Sequence, residues 1–243
     1  NLALAPAIFL KYLSLAAWPL NLLLDYSNYS LPSGFLDARV MFGILLFGIF
    51  SLLTWYAFKK SILFFSFGLV WFISFLSPAL QIIPFQDIIG ERFLYAPIVG
   101  FFLSAAVGFE YVLCRFNSKI KFYLNFIGSI LAAVIFSFFL FLTFNRNNDW
   151  LNSENLWLSV LKIDAKNERA LQNISAYYLE KRNADKLIEF SGRLLNLNPE
   201  SRAGRLHLAV GKIMNGEYKE AEAELLDLVK KYPDFKEAQN NLS

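Results

Sequence analysis

The residues best suited to chemistry lie in one short stretch. Between two apolar runs, Gln81–Pro97 carries Asp87, Glu91, Arg92 and Tyr95. An arginine presents a planar, permanently charged fork that fits phosphate oxygens. A helix beginning near Glu91 would add favourable partial charge for an anion. Ionisable groups at the rim of an apolar layer usually face a protein interior and have partners there. These residues therefore support a site for an anionic, lipid-linked ligand, with Arg92 on its phosphate. A plainer reading is also available: Arg92 reaches headgroups and Tyr95 joins an aromatic belt. Composition alone favours the plainer reading. Glu91 and Arg92 are adjacent, so on a helix they point in different directions. Pro84 stops a helix running on from Leu80, and Gly90 permits a tight turn. Asp25, in a second loop, joins the candidates.

The elements that must position these residues are membrane helices. Of the 26 Phe, 24 precede Asn145, and 56% of the chain is hydrophobic. A span needs about 20 apolar residues. Val40–Phe58, Ser61–Leu80, Phe93–Cys114 and Phe122–Phe144 meet that length. The stretch Leu2–Leu24 holds Lys11 near its middle, which costs about 2.5–3.5 kcal/mol at the centre of a span. It is either a span facing a polar interior or a shorter segment starting near Lys11.

Lys59-Lys60 and Arg115, Lys119 and Lys121 occupy alternate loops, which the positive-inside rule places in the cytoplasm. The loops holding Asp25 and Arg92 then share the opposite face with everything after Phe144. Up to Phe144 there are 8 Lys+Arg against 5 Asp+Glu, and beyond it 15 against 15. A neutral second half without a basic stripe gives no electrostatic case for nucleic acid.

That second half, 145–243, is periodic. Pro199 and Pro233 are 34 residues apart, the tetratricopeptide (TPR) spacing. One full repeat spans Glu168–Ser201, with Leu171, Ile174 and Tyr178 lining its first helix and Leu187, Ser191 and Leu194 its second. The next starts at Arg202 and carries Leu208, Gly216, Tyr218, Ala221, Leu225 and Leu228. A third begins at Lys236, and Ser153–Ala165 resembles half a repeat. The expected fold is all-α: a polytopic membrane bundle over 1–144, then a TPR α-solenoid. The chain begins and ends inside such elements and reads as part of a longer protein. His207, the single histidine, reads as solvated or groove-facing. Cys114, the single cysteine, reads as a small apolar filler. Phosphate loops, Ser/His/Asp sets and zinc spacings are not seen.

Pro19–Ser27, then Ile82–Pro97 with its Glu-Arg-Phe-Leu-Tyr-Ala-Pro core, then a last membrane helix, Trp150 and the repeats form a recognisable order. It resembles the C-terminal part of the transmembrane-and-TPR O-mannosyltransferases of the GT-C superfamily. The resemblance implies inverting transfer of a sugar, mannose or another, from a polyprenyl-phosphate donor to Ser or Thr of a protein. The base, an Asp in a first extracytoplasmic loop, would precede Asn1. Arg92 would then stabilise the leaving phosphate, Glu91 would orient Arg92 or meet the sugar, and Tyr95 would hydrogen-bond nearby. Asp87 and Asp25 are weaker candidates on the same face. No metal ligands are assigned, and a divalent ion is left open. The TPR groove would hold the acceptor or a partner protein. The plain, Lys/Asn-rich repeats point to a bacterial inner membrane with periplasmic repeats, the alternative being an endoplasmic reticulum membrane with lumenal ones. The competing reading is a non-enzymatic, membrane-anchored TPR scaffold.

Overall fold

The computed structural model describes residues 3–20, 22–84 and 87–242. Leu2, Asn21, Phe85 and Gln86, which fall within segments singled out above, lie outside it. The described residues are helical with no strand, and they divide into two compact units, 1–145 and 146–243.

The first unit contains α1 (Leu4–Ala17), α2 (Ala38–Lys59), α3 (Leu63–Leu76), α4 (Pro97–Leu113) and α5 (Ser118–Asp149), whose last turn enters the second unit. Among the described residues, three helical stretches are long and apolar enough to cross a membrane. They are Ala38–Lys59, Leu63–Leu80 (α3 with the 3-10 turn Ser77–Leu80 that extends it) and Ser118–Asp149. The expected span Phe93–Cys114 is shorter than its apolar sequence. Residues Glu91–Leu94 form a 3-10 turn, and the α-helix begins only at Pro97, whose missing N–H suits a first helical position. Seventeen residues make about 25 Å of helix, just under a hydrocarbon core of about 30 Å.

The first segment starts at Leu4, ahead of Lys11 instead of near it, and ends at Ala17, before Pro19, which gives about 21 Å of helix. Both halves of α1 touch one end of the bundle: Gly43, early in α2, packs on Pro6, and Tyr12 reaches Gly90. Lys11 lies at that end too, with its ammonium 5.5 Å from the centre of the Tyr26 ring. Its charge therefore has the face of a tyrosine that belongs to a polar cluster.

Side-chain size decides how the helices pack. Phe9 is buried and meets Phe47 and Phe50 edge-on at 5.6 and 5.8 Å, with Phe72 close by. Between the antiparallel α3 and α4, backbone meets backbone. A Cβ on Gly100 would stand 2.4 Å from the Gly68 carbonyl oxygen, and one on Gly68 would stand 2.3 Å from Ser104 Oγ. Small residues four apart on α4, Gly100 and Ser104, open this approach, as is common between membrane helices. Ser104 Oγ bonds the Phe65 carbonyl, and Trp71 Nε1 donates to the Ala96 carbonyl at 3.0 Å. No residue of α5 is buried within this chain.

The second unit contains α6 (Ser153–Ile163), α7 (Glu168–Glu180), α8 (Ala184–Leu197), α9 (Arg202–Met214), α10 (Tyr218–Lys231) and α11 (Lys236–Leu242). Each packs on the next, and α7 also meets α9, as α9 meets α11. Asn152, Asn167, Asn183 and Ser201 each cap the following helix through a side-chain oxygen. Leu171, Ile174, Leu187, Ser191 and Leu194 are fully buried. Leu208 is half-buried and Tyr218 exposed. Arg182 (φ 52°) and Gly216 (φ 82°) take the left-handed conformation in equivalent turns, 34 residues apart.

His207 departs from its expected solvated position. It is buried, and its Nδ1 lies 2.8 Å from the fully buried Ser175 Oγ, joining α9 to α7. The Ser175 hydroxyl already donates to the Gln172 carbonyl, so Nδ1 carries the ring proton in this pair. Burial holds the His207 pKa below its ordinary value. Cys114 likewise differs: it is exposed at the end of α4, its sulfur 3.3 Å from Lys121 Nζ.

Candidate functional site

The two loops expected on one face meet at one end of the first unit. From the first loop, Tyr26 is buried and donates its hydroxyl to Glu91 Oε1 at 3.0 Å, a contact 65 residues apart in sequence. The Leu23 amide donates to the same Tyr26 oxygen, fixing the ring from its own loop. Asp25, beside Tyr26, is buried and accepts the Ser27 hydroxyl at 2.8 Å. From the second loop, Arg92 Nη2 pairs with Asp87 Oδ2 at 2.5 Å, and the guanidinium lies 5.0 Å from the centre of the Phe93 ring. Glu91 thus meets the Asp25-bearing loop through Tyr26, and Arg92 pairs with Asp87 within its own loop.

The carboxylate against Arg92 is that of Asp87. Glu91 turns to Tyr26, as adjacent residues on a tight helical turn must diverge. Tyr95 stands apart from this cluster, 87% exposed.

The second loop is held from beneath by two buried groups that sequence reasoning did not single out. The fully buried Tyr12 hydroxyl accepts from the Gly90 amide at 3.1 Å. Gln81, in a left-handed backbone conformation, donates its side-chain amide to the Asp87 carbonyl at 2.8 Å. Among the described residues of this loop, the left-handed conformation falls at Gln81. Gly90 is extended (φ −147°) and has no special backbone need for glycine. Only the Lys11-Tyr12 pair, polar residues inside an apolar run, could have pointed to α1 as a floor for this loop.

Beside the cluster lies an apolar cavity of about 530 Å³, walled by Phe75, Pro78, Ile82, Ile83 and Phe93. Phe93 separates it from the Arg92 guanidinium. The side chain of Arg92 is 62% exposed, so a charged group could reach it from outside without displacing the fold. An exposed cation, paired with one carboxylate and adjoining an apolar cavity, suits an amphiphile with an anionic head. Among the described residues, no three His, Cys, Asp or Glu gather to hold a metal ion.

This fold and this loop end define an all-helical membrane protein with a polar cluster at one end of its bundle. No family model matches the chain. It is similar to the human Protein O-mannosyl-transferase TMTC3, 23% identical over 141 residues, and to the mouse protein of that name, 26% identical over 141 residues. Those residues are 58% of this chain and 14% of each relative's length, so the match spans a small part of the curated proteins. The relationship is a distant one to O-mannosyl-transferases.

Proposed function

We propose that this chain is part of a membrane glycosyltransferase of the GT-C type. It would move a sugar from a polyprenyl-phosphate carrier to Ser or Thr hydroxyls of proteins. The observation that carries the reading is the 141-residue similarity to O-mannosyl-transferases. The geometry of the loop end supports it. Arg92 would meet the phosphate as negative charge grows on the leaving oxygen, where one aimed donor contributes about 2.7–4 kcal/mol to lowering a barrier. Asp87 would hold the guanidinium in place before the donor arrives. Glu91, set by Tyr26, would face the sugar hydroxyls, and the apolar cavity would take the first part of the polyprenyl chain. The acceptor base would come from another part of the complete protein. The relatives' names point to mannose as the sugar.

Helices α6–α11 would act as TPR repeats. Their 34-residue period and the packing of α7 on α9 suit a groove for the acceptor or for a partner. We place the loop end and the repeats on the extracytoplasmic face of a bacterial inner membrane.

A scaffold reading keeps one observation in its favour: Arg92 is already paired and largely exposed. A transfer assay on the complete protein, with a lipid-linked sugar and candidate acceptors, separates the two. Arg92→Ala should lower transfer by about 10²-fold at unchanged expression. Unchanged transfer would remove Arg92 from the mechanism.

A further inference from the structure

At the end of the first unit opposite the Tyr26–Glu91 cluster, two other turns converge. The α2–α3 turn carries Lys59 and Lys60, and the α4–α5 turn carries Arg115 and Lys119. Tyr56 of α2 and Tyr111 of α4 both lie against Arg115, with the Tyr111 hydroxyl 2.9 Å from its guanidinium. The Lys60 ammonium lies 6.0 Å from the centre of the Tyr56 ring. Lys121 is paired with Glu110 at 2.6 Å. Among the described residues, Lys59, Lys60, Arg115 and Lys119 have no carboxylate partner. This end thus offers four uncompensated cations, of which Lys60 and Arg115 lie over tyrosine rings and Lys59 over Trp55.

A groove of about 710 Å³ opens between α2 and α3 directly beside them. Trp55, Phe58, Leu63 and Phe67 form its apolar wall. The Lys59 ammonium sits 4.1 Å from the centre of the Trp55 ring, so the cation marks the mouth of the groove. The few polar atoms inside are satisfied by the helices themselves: Thr54 Oγ1 donates to the Phe50 carbonyl, and Ser66 Oγ to the Thr54 carbonyl. The lining therefore asks for hydrocarbon, and the mouth asks for an anion.

We propose that this end is a binding site for one anionic phospholipid, its phosphodiester headgroup held by Lys59, Lys60 and Arg115 and an acyl chain laid in the α2–α3 groove. Basic residues between membrane helices hold acidic headgroups in this way, and lysines over aromatic faces are pre-set for a headgroup at the interface. The site is separate from the loop end at Arg92 and stands without the transferase reading. A bilayer in which these cations only set orientation would bind every phospholipid alike. The built groove and the convergence of two turns argue for a preference.

Trp55, in the wall, supplies the readout. The whole chain is placed in nanodiscs of phosphatidylcholine containing a small, equal fraction of brominated phosphatidylglycerol or brominated phosphatidylcholine. The quenched component assigned to Trp55 is the part that disappears in Trp55→Phe. That component should be quenched at least about threefold more by the anionic lipid. The preference should vanish in the triple variant Lys59→Gln, Lys60→Gln, Arg115→Gln, whose exposed side chains leave the helical packing untouched. Circular dichroism of that variant, matching the parent, shows that the fold is retained. Equal quenching by both lipids in the parent, or a preference that survives in the folded triple variant, would overturn the site. If the triple variant loses its fold, the single Lys59→Gln decides: a reduced preference supports the site and an unchanged one overturns it.

Discussion

Single side chains divide into those that build the loop end and those that would use it. Tyr26 and Tyr12 belong to the first kind. The hydroxyl of Tyr26 holds Glu91 at 3.0 Å from a buried position, so Tyr26→Phe leaves a carboxylate without that donor. We expect a loss of about 1 kcal/mol in stability of the first unit, measured by thermal denaturation in detergent, with the ring packing kept. His207 tests the second unit. Its folded pKa is depressed, so between pH 6.5 and its lower folded value the unfolded chain binds the proton and the folded chain does not. Stability should therefore fall as pH drops below 6.5, before the carboxylates titrate. Protection factors of the α7 and α9 amides in the whole chain, corrected for the pH dependence of intrinsic exchange, should fall over that range, and His207→Gln should flatten the dependence. Neither role was legible beforehand. Tyr26 and Glu91 meet across 65 residues, and no local pattern encodes such a contact. His207 sits between Leu206 and Leu208, and only the placement of α9 on α7 decides that Leu206 and His207 are buried while Leu208 is half-exposed. The chemistry of Asp87, Glu91 and Arg92 was legible from residue type and position, while their pairing was not.

At the level of helices, periodicity carried most of the information. Leu171, Ile174, Leu187 and Leu194 are spaced for one face of a helix, and they are the side chains that are fully buried. The starts of α7 at Glu168 and α9 at Arg202 follow Asn167 and Ser201, residues suited to cap. The start of α4 was misplaced because an apolar run gives no sign of where its backbone becomes α-helical. Pro97 was the available clue. Two backbone tests follow. Arg182 holds a left-handed conformation that Gly216 adopts freely in the equivalent turn. Gly216→Ala should destabilise the second unit by about 1 kcal/mol, and Arg182→Gly should raise its melting temperature or leave it unchanged. Between α3 and α4, Gly100→Val places side-chain atoms into the Gly68 carbonyl. We expect a loss of about 3 kcal/mol or more, seen as a collapse of the folded fraction in detergent.

For the molecule as a whole, charge separates the two ends of the first unit. Lys59, Lys60, Arg115 and Lys119 stand uncompensated at one end, while at the other Asp37 pairs with Arg39 and Asp87 with Arg92, and Glu91 and Asp25 add two further carboxylates. Side-specific labelling of single cysteines in the Lys59–Ser61 turn and the Asp25–Asp37 loop should report opposite faces of the membrane. Labelling from the same side would break the proposed topology. The account as a whole rests on an anionic lipid phosphate meeting Arg92 beside the apolar cavity. The most direct measurement places a photoreactive benzoylphenylalanine at Ile83, an 81% exposed wall of that cavity, in the complete protein. Irradiation with labelled polyprenyl phosphate should give a crosslink that a lipid-linked sugar competes away and that Arg92→Ala abolishes. No crosslink, or one that Arg92→Ala leaves unchanged, would contradict it.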